Sequence, residues 1–215
     1  MAVNSTIKVS DSATPRASNK GGNINVTSNR TTGTAISVSS SGQLLALLNG
    51  LAPGAGGTIK LTSAGGDINV NGTATADRGT VEVTNNGATG VVNLSNATLH
   101  GDTVKAGALG NNGTLNVGGG TIDAATTIKL YAGGSNGSVN FTDNVTLSGN
   151  SLKIIAADAV TIFNNKVVTV LGPGPASVFT NVPNYSGFGG NGSTTGTFGG
   201  QGALPPQPLA LAPGF

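Results

Sequence analysis

The chain has a single histidine, and the spacing of its acidic neighbours makes it the first place to look for chemistry. Asp77, His100 and Asp123 follow one another at intervals of 23 residues, so a chain that winds with that period stacks them on successive turns. An imidazole between two carboxylates suits general acid–base work, and a carboxylate pair at the right separation cleaves a glycosidic bond. The same trio is also a weak candidate for a divalent cation. Arg78 and Asp102 are expected close by. Two points favour a plainer reading as a charge-satisfied stack of turns. Carboxylates two turns apart would stand about 9.6 Å from each other, and no aromatic residue accompanies them to hold a sugar ring.

Three further rows of polar residues recur with the same cycle. Lys8, Lys60, Glu82, Lys105, Lys129 and Lys153 would line one face, with Lys60, Lys105, Lys129 and Lys153 as a candidate ligand-binding stripe for an anionic glycan or lipopolysaccharide. The plainer reading is a solvated face that discourages aggregation, because exposed like charges repel only modestly in salt. Asn25, Asn69, Asn93, Asn116 and Asn140 would form an amide ladder, hydrogen-bonded from turn to turn. Ser37, Thr75, Thr98, Thr121, Thr146 and Thr169 form the third row. Threonine rows on flat solenoids resemble those of ice-binding proteins, but these usually carry two such rows per face, and a β-branched residue suits any strand surface.

The elements that must position these rows are short strands of apolar, polar, apolar residues. One series runs through Ile59 to Leu61, Val81 to Val83, Val104 to Ala106, Ile128 to Leu130 and Leu152 to Ile154. A second runs through Ile68 to Val70, Val92 to Leu94, Leu115 to Val117, Val139 to Phe141 and Val160 to Ile162. The third comprises Ala74 to Ala76, Ala97 to Leu99, Gly120 to Ile122, Val145 to Leu147 and Val168 to Val170. A period of two turns the outer residues of each triplet inward and the middle one to solvent. Three strands per cycle, repeated about every 23 residues, predict an all-β, right-handed parallel β-helix, a three-sided solenoid of about six coils. The opening coil is expected to place Ile7 to Val9 on the first face, Ile24 to Val26 on the second and Ile36 to Val38 on the third.

Two segments break the cycle. Ser40 and Gln43 read as a capping box before Leu44, Leu45, Leu47 and Leu48, with Gly50 and Pro53 as the stop, so a short helix is expected over about 41–49. The domain reading is a β-helix over 1–171, a Gly-rich cap segment over 172–200 and a Pro-rich tail over 201–215.

Composition fits this and narrows the biology. Only 8% of the 215 residues are charged and 36 are glycine, as expected of short strands joined by tight turns. The net charge of +2 is too small to argue for nucleic acid or an anionic membrane. No apolar run approaches the roughly 20 residues of a membrane helix, so no direct membrane insertion is expected. The absence of cysteine excludes disulfides and thiolate metal sites. No cofactor is called for. Met1 to Lys20 lacks the charged and apolar regions of a signal peptide.

The Gly-rich coils with their I-x-L and V-N-F triplets, the N-G and G-G turns, and Asn184 to Gly190 (N-Y-S-G-F-G-G) resemble filamentous-haemagglutinin-like and autotransporter-passenger surface proteins of Gram-negative bacteria. That resemblance implies a large secreted β-helix displayed outside the outer membrane, serving adhesion or acting as a stalk. The family's N-terminal secretion domain and C-terminal barrel have no counterpart here, so a fragment of a longer chain is expected. The sequence therefore reads as a non-enzymatic adhesin or stalk segment, with polysaccharide or cell-surface glycan as partner and end-to-end or lateral self-association as a further expectation. A polysaccharide-active β-helix lyase or glycosidase is the alternative, and an ice-binding solenoid the third.

Overall fold

The computed structural model describes residues 1–10, 22–47, 56–163, 165–171, 176–180, 193–195 and 198–203. Every strand pairing in it is parallel, and the chain stacks as a β-solenoid. One sheet is the second face, with strands Ala2–Val3, Thr34–Val38, Asp67–Val70, Val91–Ser95, Thr114–Gly118, Ser138–Phe141 and Val160–Ile162 lying side by side in chain order. From Thr34 to Ile162 the chain makes five turns.

The third and first faces form one continuous sheet, because single long strands run across both. Thr73–Asn85, Thr98–Ala108, Thr121–Ala132 and Val145–Ala156 each bend at a register shift between the two faces. The number of residues in that bend varies from coil to coil. Asp77, Arg78 and Gly79 occupy it in one coil, Asp102 alone in the next, Ala125 and Thr126 in the third. Arg78 adopts a left-handed φ of 51° there. The wider bend is stitched to the preceding coil, with Gly56 N donating to Arg78 O at 2.9 Å and Thr80 N to Gly57 O at 3.1 Å. Gly79 is required at this contact, since a Cβ would lie 1.8 Å from Gly57 O.

The prism is filled by the inward residues of the three triplet series. Ile68, Leu115, Ile128, Phe141 and Ile154 have no exposed surface and Leu94 only 1%. A one-residue slip in any coil would turn this apolar set to solvent, which is what fixes inward and outward positions.

The opening coil differs from the sequence expectation. Gln43–Leu47 is a strand, not part of a helix, and pairs with Thr6–Ser10 on one side and with the start of Thr73–Asn85 on the other. Leu48 and Asn49, also assigned to that helix, lie outside the described residues. A near-continuous apolar run suits either a buried strand or a short helix, and here the parallel ladders available on both sides decide. Leu44 and Ala46 are buried, while Leu45 and Leu47 are half-buried. Treating this triplet as helix displaces every earlier one by a face. Ile24 to Val26 in fact pairs with Ile59 to Leu61 on the first face, Ile36 to Val38 with Ile68 to Val70 on the second, and Ile7 to Val9 with Leu44 to Ala46 on the third.

Past Leu171, Ala176–Thr180 pairs with Leu152 to Ala156, Ser193–Thr195 with Val167 to Thr169, and Phe198–Ala203 with Ala176–Thr180. Strands from the expected cap segment thus join the solenoid sheet. Residues 204–215 of the Pro-rich tail lie outside the described residues. No helix among the described residues is long and apolar enough to cross a membrane.

Candidate functional site

His100 and Asp123 are brought together. They face outward at paired positions on adjacent coils, with His100 Nδ1 2.8 Å from Asp123 Oδ2 and both side chains a little over 40% exposed. Asp77 does not join them. The residue opposite His100 on the preceding coil is Thr75, and Asp77 lies beyond Ala76, in the wide bend at the same corner as Asp102. The reason is the variable bend. Two extra residues in one coil shift the third-face pairing by two, which preserves the in–out alternation and so leaves the apolar pattern unchanged. The three-residue stack is therefore corrected to a pair. Among the described residues, no three His, Cys, Asp or Glu side chains are grouped to hold a metal.

The same slip redraws the threonine row. Gln43, Thr73, Thr98, Thr121, Thr146 and Thr169 are the residues in register, while Thr75 belongs to the row of His100, Asp123, Ser148 and Leu171. Ser37 sits on the second face opposite Asn69. The amide ladder forms as expected from Asn69 onward. Asn93 Nδ2 donates to Asn69 Oδ1 at 2.8 Å, Asn116 Nδ2 to Asn93 Oδ1 at 2.8 Å, and Asn140 Nδ2 to Asn116 Oδ1 at 3.1 Å. Asn25 belongs instead to the first face, opposite Lys60.

The first face carries the charged row. Lys60, Glu82, Lys105, Lys129 and Lys153 occupy paired positions on five successive coils, and Lys8 is on the third face instead. At the N-terminal end of the row Lys60 Nζ is 2.8 Å from Glu82 Oε1. Beyond Glu82 come three lysines in succession at coil spacing, about 4.8 Å. Partial burial, then the charges of Lys105 and Lys153, push the Lys129 ammonium below its ordinary pKa.

A hydroxyl row beside the lysines is absent from the sequence expectations. Thr58, Thr80, Thr103, Thr127 and Ser151 are in register with one another, and each precedes a residue of the charged row by two. The signal is in the sequence as T-I-K, T-V-E, T-V-K, T-I-K and S-L-K. Period two puts the first and third residue of each on the same outward face. On the other side of the lysines Thr84 is buried and Tyr131 is only 1% exposed, while Thr62 and Ile155 at the ends of that row are half-buried. Burial raises the Tyr131 phenol pKa.

Two features lie apart from these rows. At the corner between the second and third faces Lys166 Nζ contacts Asp143 Oδ1 at 2.8 Å. That hydrogen bond, with the Asn144 N–H and the Lys166 charge, holds the Asp143 carboxyl below the usual carboxylate range. At the N-terminal end, Met1, Ile7 and Asn23 to Thr27 line a cavity of about 420 Å³ whose side chains include no acid or base. No family model, no curated protein and no solved structure matches this chain.

Proposed function

We propose that this chain is a non-enzymatic segment of a secreted bacterial surface protein, an adhesin or stalk that acts through a stiff shape and a repeated surface. The observation that carries this reading is the regularity of the outer rows. Amides, threonines and lysines each hold one register across several coils, which suits display along a rod better than convergence on one reacting bond. The hydrogen-bonded amide ladder ties successive coils together on the second face, and such coil-to-coil continuity resists bending. The polysaccharide-active alternative draws on Asp77, His100 and Asp123, and the register leaves it one carboxylate beside the imidazole.

Antibodies raised against this chain are expected to label intact cells that produce the parent protein, and small-angle scattering of the purified chain is expected to give a rod of constant cross-section. Labelling only after permeabilisation would remove the surface assignment. Depolymerisation of an acidic polysaccharide, lost in His100→Ala, would replace this reading with the enzymatic one.

A further inference from the structure

We infer that the first face binds a linear anionic polysaccharide, sulfated or uronic, laid along the solenoid axis over Lys105, Lys129 and Lys153, with Thr103, Thr127 and Ser151 as hydrogen-bonding partners. This deepens the surface-protein reading above and rests on it. The argument begins with the cost of the arrangement. Three ammonium groups in register on adjacent coils repel one another, and because the pairing of Val104, Ile128 and Leu152 fixes their Cα positions, only the flexible side chains can move the charges apart. Partial burial and these like charges act together on Lys129, whose ammonium is held less favourably than in water. A polyanion running parallel to the row relieves that repulsion in every coil it crosses and releases its own condensed counterions.

Geometry narrows the class of ligand. The lysine Cα positions repeat at the inter-strand spacing of about 4.8 Å, so a ligand that meets all three is extended and regularly charged. Beside each lysine, two residues earlier on the same strand, stands a hydroxyl that can donate to a carboxylate or sulfate and can donate to or accept from sugar hydroxyls. Single-stranded nucleic acid, the competing polyanion, is usually held by aromatic side chains on which its bases stack. The aromatic residue on this part of the face, Tyr131, is 1% exposed and offers no such platform. Toward the N-terminus the row changes sign at Glu82, which stands in register with Lys60 on one side and Lys105 on the other and repels a polyanion, so the footprint covers the three coils from Lys105 to Lys153.

The test is a titration of the full chain with a size-defined heparin octasaccharide, set against neutral dextran and oligo(dT), at several salt concentrations. Binding to the octasaccharide should weaken with a log–log salt slope of about −2, as for two to three ionic contacts, with no binding to dextran. The triple variant K105Q/K129Q/K153Q should lose at least about tenfold in affinity and most of the salt slope. K166Q, which removes one lysine at a different corner, should bind as the parent does. The double variant T103V/T127V should weaken binding while leaving the salt slope unchanged. Circular dichroism and melting of each variant separate loss of the face from loss of the fold. An octasaccharide that fails to bind at low salt, a folded triple variant that binds as the parent does, or oligo(dT) that binds as tightly as the octasaccharide would each overturn the proposal. Scattering and surface labelling are read independently, so a failed stripe leaves the stalk reading standing, and failed labelling leaves the measured affinity in place.

Discussion

Individual side chains in this molecule are governed by which coil they meet, and Asp143 with Lys166 illustrates it. They lie 23 residues apart yet share a hydrogen bond across one coil step. Asp143 has its pKa lowered, first by the hydrogen bond from Lys166. A depressed carboxylate pKa contributes stability that is present above the unfolded-state value and lost as pH falls through the folded one. Lys166→Met should therefore raise the Asp143 pKa toward the ordinary range while the Asn144 N–H still holds part of the shift. Carbon-detected NMR titration of the Asp143 carboxyl checks this, and an unchanged midpoint would mean that the ion pair is not populated. The stability change should be small because the pair is solvent-exposed. Inside the prism the stakes are larger. Phe141 has no exposed surface, and Phe141→Ala should cost about 3–5 kcal/mol in chemical denaturation. Unaltered stability would show that the inward register is wrong.

At the scale of strands and corners, the sequence disclosed whatever depends on parity and concealed whatever depends on corner length. The triplets from Ile59 to Ile162 were legible because apolar residues must alternate inward, and the amide ladder followed from the same alternation. The error at Asp77 came from a bend holding three residues in one coil and one in the next, a difference of two that no period-two pattern registers. Gln43–Leu47 was misread because its leucines satisfy both a helical face and a buried parallel strand, and the ladders that decide are formed by residues more than 25 positions away. The hydroxyl row of Thr103, Thr127 and Ser151 is written in the sequence as T-x-K, T-x-K and S-x-K, and period two puts each hydroxyl on the face of its lysine. The amide ladder offers an element-scale test. Asn116 donates to Asn93 and accepts from Asn140, so Asn116→Ala removes two hydrogen bonds and should cost about 1–3 kcal/mol. Asn140→Ala removes the bond to Asn116 and should cost less. Equal costs, measured by thermal unfolding of both variants, would rule out the ladder as a chain of additive bonds.

Over the whole molecule the same step recurs, with each interior strand pairing to the strand one coil before and one coil after. Stability should then be close to a sum of coil terms and neighbour terms, as in other solenoids, and damage should spread by lost neighbours rather than through a shared centre. Leu115 is fully buried between Val92 and Val139 on the adjoining coils. Leu115→Asp places a carboxylate in the apolar interior, where an unpaired charge is strongly disfavoured. That change should open the central coil and divide the rod into two blocks that exchange and unfold separately. Val3→Asp, at the first strand of the second face, breaks one neighbour contact instead of two and should fray only the opening coil. Hydrogen exchange read by mass spectrometry distinguishes the outcomes. In Leu115→Asp, protection should fall sharply over residues 91–141 and persist in coils on either side, whereas a uniform loss from Thr34 to Leu171 would mean that the solenoid unfolds as one cooperative unit and that its coils are not separable in energy.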